Sequence, residues 1–304
     1  MKIAYLILAH DNAQHLQRLV SALSTASAIF FIHVDQKSDR TPFLKIQGEN
    51  IHFTDERACV HWGDFSQVEA MLILLRAACA QPGGFDRCVL LSGADYPLRS
   101  AQEIEDFFAA APDREFMNLV AMPSKAAGKS LSRLSTYQLR ATTPRLLRAG
   151  RKALMIAGLL PRQRDYKAHL GALAPYAGST WWALSRAACD HILAFAERET
   201  QVVDFFKNTQ CPDESFFHTI LGNSPFLSRI ARNLTYTDWS GGGASPAVMT
   251  QQHLTLFQAI SSFPAQDTYG AGAMLFARKF ADQSEQLVAR MDRQIGEQEH
   301  PSPA

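Results

Sequence analysis

The sequence lacks the features that mark several large classes of protein. Its 304 residues contain no apolar run approaching about 20 residues, the length that a membrane-spanning helix requires. Its 30 Lys and Arg residues balance 29 Asp and Glu residues, so the formal net charge of +1 predicts no overall attraction to nucleic acid. The 5 cysteines form no C-x-x-C pair, which favours a reducing compartment and predicts a cytoplasmic location.

The glycine-rich motifs that hold nucleotides are also absent. G-x-x-x-x-G-K-[ST] does not occur, and no G-x-G-x-x-G follows the first apolar run. The turn LLSGADYPL carries one carboxylate, Asp95, whereas metal-dependent nucleotide-sugar transferases use an acidic D-x-D pair to hold a divalent cation. His10, Asp11 and His15 form a conceivable metal cluster, but polar residues in a first helical turn are more often caps. We therefore expect no metal and no cofactor.

Short apolar runs alternate with segments of helical periodicity, and this alternation predicts an α/β fold with a mostly parallel sheet. In such a sheet the ligand crevice lies beyond the carboxyl ends of the strands, where His10, Asp11, Asp35 and Asp95 fall. Asp35 ends the run IHVD and either accepts hydrogen bonds from a nucleoside or caps the next turn. The predicted strands are 3–9, 28–35, 87–93, 114–122 and 178–185, and the predicted helices include 66–80, 101–110, 186–198 and 281–297.

We expect one domain over 1–297 and a frayed tail over 298–304. Within it we predict a nucleotide-binding half (1–122), a basic insertion (123–175) and an acceptor-binding and catalytic half (176–297). The insertion concentrates positive charge, with 11 Lys and Arg against one acid between residues 123 and 170.

Residues 144–162 combine leucines with five basic residues. This composition is typical of a segment that lies on an anionic membrane surface. It also fits a basic rim that binds acidic acceptor sugars, or a core helix with one solvated face.

Three further motifs offer candidate site residues. CPDESFF places two acids in a first helical turn, where they complement the helix dipole or where Glu214 acts as a general base. GSTWWALS predicts that Trp181 and Trp182 point to opposite faces of a strand, one to the core and the other to a sugar or the opposite layer. In LFARKF, Arg278 and Lys279 are either solvated or hold a diphosphate without a metal.

Eight segments taken together resemble glycosyltransferase family 14, the family of the core-2/I-branching N-acetylglucosaminyltransferases and the peptide O-xylosyltransferases. The match runs in order from about residue 4 to 280, which is most of the chain. The segments are AYLILAH, IHVDQKS, HWGDFSQVEA, LLSGADYPL, GSTWWALSR, PDESFFHTIL with NSPF, TDWSGGGASP and LFARKF. The resemblance implies a GT-A-type fold, an inverting mechanism, a UDP-sugar donor and no metal requirement.

Carried over by position, the resemblance implies roles for most of these residues. Asp35 resembles the uridine-side carboxylate, Glu214 the catalytic base, and Arg278 with Lys279 the basic pair that binds the diphosphate. Asp95 lies in the turn where other GT-A enzymes keep D-x-D, and His10 is expected beside the nucleotide sugar. Trp181, Trp182, Asp238 and Trp239 are expected on the acceptor side.

The sequence departs from the family at Thr180, where the xylosyltransferases carry an acid as G-S-D-W. Either Glu214 is the base, as in the branching enzymes, or the activity is altered or lost. We therefore expect transfer of GlcNAc or xylose from a UDP-sugar to a hydroxyl of a glycan or lipid-linked glycan. The alternatives are an inactive glycan- or nucleotide-binding protein and a metal-dependent sugar-nucleotide hydrolase or pyrophosphorylase.

Overall fold

The computed structural model describes residues 1–161, 163–242, 245–258 and 265–299. The strands, in chain order, are β1 (Ile3–Ala9), β2 (Ala28–Val34), β3 (Ile51–Phe53), β4 (Arg87–Ser92), β5 (Asp95–Pro97), β6 (Glu115–Met117), β7 (Val120–Ala121), β8 (Tyr176–Ala177), β9 (Trp182–Ser185), β10 (Ile230–Ala231), β11 (Thr235–Thr237), β12 (Ala265–Asp267), β13 (Gly270–Gly272) and β14 (Phe276–Arg278).

The helices are α1 (Ala13–Ala22), α2 (Ser66–Ala80), α3 (Ala101–Ala110), α4 (Ser132–Ser135), α5 (Arg145–Ile156), α6 (Tyr166–Leu170), α7 (Arg186–Arg198), α8 (Thr200–Phe206), α9 (Phe216–Gly222), α10 (Gln251–Gln258) and α11 (Glu285–Glu299). A 3-10 turn, Pro212–Glu214, precedes α9 and begins at the proline, as the CPDESFF motif predicts. Among the helices that the structure describes, none is both long enough and apolar enough to cross a membrane.

Seven strands form the central sheet in the order β10-β6-β9-β4-β1-β2-β3. The pairs β1–β2, β1–β4, β2–β3 and β6–β10 are parallel, and β9 runs antiparallel to both β4 and β6. The predicted α/β fold with a mostly parallel central sheet is therefore confirmed. The division into two halves and a basic insertion stays a prediction, and the sheet takes strands from both halves.

The alternation of side chains along β1 explains why its apolar run is continuous. Ile3, Tyr5 and Ile7 belong to one buried cluster with α1, α3 and α11, while Ala4 and Leu6 belong to a second cluster with α2, α7 and α9. Helices cover both faces of the strand, so no position along its centre faces water.

Several predicted boundaries differ from the structure. The strand predicted at 114–122 divides into β6 and β7 at Asn118 and Leu119. The Asn118 side chain accepts a hydrogen bond from the backbone N–H of Asn233 at 3.0 Å. Asn12 precedes α1, but its side-chain oxygen accepts from the Asp282 N–H at 3.0 Å and does not cap the helix. The last helix reaches Glu299, and residues 300–304 of the predicted tail lie outside the described residues.

A second, three-stranded sheet lies at the carboxyl ends of the central strands. Its order is β11-β14-β5, with β5 beginning three residues after β4 ends. The register pairs Arg278 with both Asp95 and Thr237, so β14 carries its basic residue between two neighbouring strands. The carboxyl ends of β1, β2 and β4 meet here, since Asp35 N–H donates to Ala9 and Gly93 N–H donates to Leu8, each at 2.8 Å.

Candidate active site

Asp95 and Arg278 form a largely buried ion pair between the neighbouring strands β5 and β14. The side chain of Asp95 is fully buried and accepts hydrogen bonds from Ser92, from the backbone N–H at 3.0 Å and from Oγ at 2.8 Å. Arg278 Nε lies 3.6 Å from Asp95 Oδ1. Burial raises the pKa of Asp95, although the Arg278 charge and the Ser92 donors oppose the shift. Asp95 therefore anchors Arg278 and leaves most of the guanidinium free to bind something else.

The Arg278 guanidinium is also held from one face by an aromatic ring. Its central carbon lies 4.0 Å from the centre of the Trp181 ring, a cation–π distance. Two of its nitrogens, Nε and Nη1, are buried and have no hydrogen-bond partner among the described residues. Unpaired buried donors are costly, so this geometry favours an anion that would accept from the guanidinium.

Lys279 follows Arg278 at the end of β14. The Lys279 carbonyl accepts a hydrogen bond from the Met249 N–H at 2.7 Å, which attaches the strand to the segment after the glycine-rich loop. Its ammonium group forms no ion pair with any residue that the structure describes and is partly exposed. Residues Gly243 and Ala244 of that loop lie outside the described residues.

The segment 178–181 connects the Arg278 strand with the acidic turn before α9. Gly178 N–H donates to the Glu214 carbonyl at 2.9 Å, and Thr180 Oγ1 donates to Asp213 Oδ2 at 2.6 Å. These contacts explain why the predicted strand 178–185 begins only at Trp182, since the preceding residues bond to the turn instead of to a neighbouring strand. The segment therefore places the acidic turn and Arg278 on two sides of one site.

Gly178 is required by the close approach of two backbone segments. A β-carbon at this position would lie 1.6 Å from the Asn118 carbonyl oxygen. Only glycine allows the segment 178–181 to pass so near β6 while still reaching the acidic turn.

Glu214 lies in a cluster of opposite charges. Its carboxylate Oε2 accepts a hydrogen bond from Lys129 Nζ at 2.7 Å and pairs with Arg133 Nη1. Burial by itself raises the pKa of Glu214, but the two cations outweigh it and hold the pKa below its ordinary value. Glu214 is therefore ionised at neutral pH and weakly basic while both cations contact it.

Lys129 and Arg133 were missed by sequence reasoning, which treated them as part of a basic insertion with no counterpart in the family. Lys129 is buried and pairs with Ser124 in an isolated bridge, and Arg133 lies on α4. The sequence carries no local signal that both cations reach the same carboxylate, because Glu214 is 85 and 81 residues away from them.

The pKa of Asp213, the neighbour of Glu214, is shifted in the opposite direction. Burial, followed by the negative charge of Glu214, raises the pKa of Asp213 to about 6, although the hydrogen bond from Thr180 opposes the shift. Thr180, where the sequence departs from the xylosyltransferases, therefore donates a hydrogen bond to Asp213.

The remaining predicted nucleotide-side residues lie near the strand ends. Asp35 accepts hydrogen bonds from the N–H groups of Lys37 at 2.9 Å and Val60 at 3.4 Å, which is the capping role that the sequence left open. Its predicted contact with uridine stays a prediction. His10 is exposed and pairs only with Asp11, at 3.4 Å, among the described residues.

His15 does not join His10 and Asp11 in a cluster. It is buried, with Nε2 3.0 Å from the Asp95 carbonyl oxygen. Among the residues that the structure describes, no group of three or more His, Cys, Asp and Glu side chains is arranged to hold a metal ion. The expectation that the protein needs no metal stays a prediction.

The predicted acceptor-side residues divide into surface and core positions. Trp239 is 57% exposed. The Asp238 carboxylate contacts His253, with Oδ2 3.0 Å from Nε2. Asp238 follows β11 directly, and Lys279 follows β14, the strand that pairs with β11. Trp182 is buried with Phe217 in the core, so Trp181 is the member of the pair that faces the site.

Comparison with curated proteins finds xylosyltransferases among the relatives of this chain. The chain is 29% identical to xylosyltransferase 2 of Canis lupus familiaris over 248 residues, which are 79% of this chain and 27% of that protein. It is 26% identical to xylosyltransferase 1 of Rattus norvegicus over 316 residues, 96% of this chain and 35% of that protein. The chain thus spans about a third or less of the length of these curated relatives.

Among solved structures, the apo form of mouse xyloside xylosyltransferase 1 superposes with a TM-score of 0.35 at 12% identity, covering 90% of this chain and 97% of that one. The family model described as Core-2/I-branching enzyme matches residues 3–260, which is most of the chain. The match includes Asp95, the segment 178–181 and the acidic turn at Glu214. This chain belongs to the Core-2/I-branching enzyme family.

Proposed function

We propose that this protein is an inverting, metal-independent glycosyltransferase that moves a sugar from a UDP-sugar to a hydroxyl group of a glycan. The family and the names of the curated relatives support sugar transfer. The observation that carries the proposal is Arg278, a largely buried arginine that is held by Asp95 and Trp181 and has two buried nitrogens without a hydrogen-bond acceptor among the described residues. A diphosphate is an anion whose oxygens match such donors.

Arg278 and Lys279 would stabilise the departing UDP. The diphosphate gains negative charge as the bond to the sugar breaks. A cation about 4 Å away, at an effective dielectric constant of about 20, contributes roughly 4 kcal/mol, or about three orders of magnitude in rate. The fixed plane of Arg278 and the adjustable ammonium of Lys279 together supply the charge that a metal supplies elsewhere.

Glu214 would act as the general base. The acceptor oxygen attacks the anomeric carbon from the face opposite UDP and passes its proton to the Glu214 carboxylate. The electron pair of the broken sugar–phosphate bond leaves with the diphosphate, so the configuration is inverted. The cations on Glu214 make this proton transfer unfavourable until they turn toward a substrate anion, which couples substrate binding to the basicity of Glu214.

The names of the curated relatives favour UDP-xylose as the donor, with UDP-GlcNAc as the second candidate. The test is release of UDP from each donor by the purified chain, with and without EDTA. We expect turnover that EDTA does not change.

The variant Glu214→Gln should lose at least a hundredfold in turnover while its affinity for UDP, measured by calorimetry, stays within about twofold, because the amide keeps the shape but not the proton affinity. Glu197→Gln, an exposed acid on α7, is the matched control and should behave as wild type. Wild-type turnover in Glu214→Gln would remove Glu214 from the mechanism. Binding of UDP without turnover of any donor in the wild type would instead support the inactive binding protein, and loss of turnover in EDTA would contradict metal independence.

A further inference from the structure

Helix α5 lies on the surface of the molecule and contributes nothing to its core. None of its residues is buried. Residues 135–164 form an excursion whose two ends meet, since Thr136 pairs with Gln163 in an isolated bridge and Arg164 N–H donates to the Ser135 carbonyl at 2.8 Å. Its first residues still contact the body, because Gln138 N–H donates to the Asn208 carbonyl at 2.9 Å and Ala141 N–H donates to Asp64 Oδ2 at 2.7 Å. Thr136 lies three residues after Arg133 of the Glu214 cluster.

Two arginines attach α5 to the rest of the excursion. Arg148 donates to the Thr143 carbonyl from Nε at 2.9 Å and to the Arg140 carbonyl from Nη2 at 2.7 Å. The Arg151 guanidinium lies 3.8 Å from the centre of the Tyr137 ring. The arginine side of the helix is thereby turned toward the protein.

The apolar residues of α5 are correspondingly turned outward. Leu146, Leu147 and Leu154 share one face, because they are spaced by one, seven and eight residues on a helix of 3.6 residues per turn. Leu146 is 86% exposed and Leu147 64% exposed, while Ile156 and Leu159 beyond this face are 69% and 71% exposed. Soluble proteins rarely leave such a group of large apolar side chains uncovered, so the surface marks a binding site.

We propose that this apolar surface, formed by Leu146, Leu147, Leu154, Ile156 and Leu159, inserts into the surface of an anionic lipid bilayer. The exposed charge of the same segment favours this partner, since Lys125, Arg145, Lys152 and Lys167 are exposed and Asp165 is the one acid between residues 123 and 170. A second copy of the chain would bring an equally positive segment against this one. A soluble acidic glycan would use the charge but would leave the leucines exposed.

The proposal rests on the proposed function and identifies the class of acceptor. The excursion is rooted at residues 135 and 164, next to the residues that hold Glu214, so docking of α5 brings the site close to the lipid headgroups. The acceptor is then a glycan attached to a lipid, with its reacting hydroxyl just outside the bilayer.

The test is flotation of the full chain with phosphatidylcholine vesicles that contain no anionic lipid or about a third phosphatidylglycerol, at physiological salt. We expect flotation with the anionic vesicles and at least tenfold less with neutral ones. The double variant Leu146→Ser/Leu147→Ser should lose at least tenfold in binding to anionic vesicles. Leu44→Ser/Leu227→Ser, which removes two exposed leucines elsewhere, should bind as wild type.

Every other result overturns the proposal. Equal flotation of wild type and the Leu146/Leu147 variant, or none by either, excludes insertion of this surface. Concentration-dependent self-association that the variant abolishes identifies a second copy as the partner, and binding of dextran sulfate that the variant retains, without flotation, identifies a soluble polyanion. UDP release from the donor without vesicles should be unchanged in the variant, so failure here is distinct from failure of the proposed function.

Discussion

Asp213 and Glu214 are adjacent acids whose surroundings move their pKa values in opposite directions. Both are largely removed from water, but Glu214 contacts Lys129 and Arg133 whereas Asp213 has a hydroxyl, Thr180, as its hydrogen-bond donor. Desolvation raises the pKa of a carboxyl that has no cation beside it, whereas two contacting cations outweigh desolvation and lower the pKa. The site therefore holds one acid that stays ionised and one that titrates near neutrality.

The raised pKa of Asp213 predicts a pH-dependent gain in stability for Asp213→Asn. At pH 4, close to the ordinary aspartate pKa, the carboxyl is protonated in the folded protein and only partly ionised in the unfolded chain, so the variant should differ little from wild type. Between pH 4 and about 6 Asp213 ionises in the unfolded chain but stays largely protonated in the folded protein, which lowers the unfolding free energy of the wild type. This loss is complete above the folded pKa of about 6. Above pH 6.5 we expect the variant to be more stable by on the order of 2 kcal/mol.

Urea unfolding of both proteins at pH 4 and pH 7.5 measures this difference. Asn keeps an oxygen that accepts from Thr180 Oγ1, so the bond seen at 2.6 Å is retained in the variant. A difference in unfolding free energy that is the same at both pH values would show that Asp213 does not titrate in this range.

At the level of elements, the strand β14 assembles the basic side of the site. Its antiparallel pairing with β5 sets Arg278 opposite Asp95, and its parallel pairing with β11 sets Arg278 beside Thr237. Three segments far apart in sequence thus meet at Arg278. The backbone register fixes the position of this residue.

We predict that Lys279→Ala lowers kcat/KM for sugar transfer by a hundredfold or more, because the ammonium is assigned to charge that develops on the diphosphate. Lys279→Arg should recover part of the loss, since it restores the charge with a different shape. Lys125→Ala, an exposed lysine of the basic segment, serves as the control and should change kcat/KM less than threefold. Undiminished kcat/KM in Lys279→Ala would count against a role for this residue in the leaving-group step.

Across the whole molecule, a buried ion pair joins the strands on both sides of β9. Arg87 of β4 and Glu115 of β6 are both buried, with Nη1 and Oε2 3.8 Å apart. Arg87 Nη1 also donates to the Arg114 carbonyl at 2.6 Å, and Glu115 Oε2 accepts from the Ser185 N–H at 2.7 Å. The pair therefore connects β4, β6 and β9, where β9 runs antiparallel to its two neighbouring strands.

Arg87→Met should destabilise the protein by about 3–5 kcal/mol, because it leaves the Glu115 carboxylate buried without its cation. Arg198→Met is the matched control, since Arg198 pairs with Glu199 on the surface and its loss should cost less than about 1 kcal/mol. Denaturant unfolding of the two variants compares them. A loss in Arg87→Met as small as that in Arg198→Met would show that the Glu115 carboxyl does not depend on Arg87 in the folded state.

Much of the fold was predictable because its signals are local. The continuous apolar run of β1 reports burial of residues that are neighbours in the sequence, and the strand predicted at 3–9 has these bounds in the structure. The boundary at Trp182 was not predictable, since it depends on bonds from residues 178–181 to a turn more than thirty residues later in the sequence.

The candidate site was predictable only in part. Glu214, Arg278 and Asp95 stand in short motifs, so the sequence alone determined that this chain carries an acidic turn and a strand that ends in two basic residues. Tertiary structure alone decided that Lys129 and Arg133, 85 and 81 residues from Glu214, would hold that carboxylate in its ionised form. The physical reason is that desolvation and Coulomb energy depend on distances in space, and sequence patterns report only which residues are neighbours along the chain.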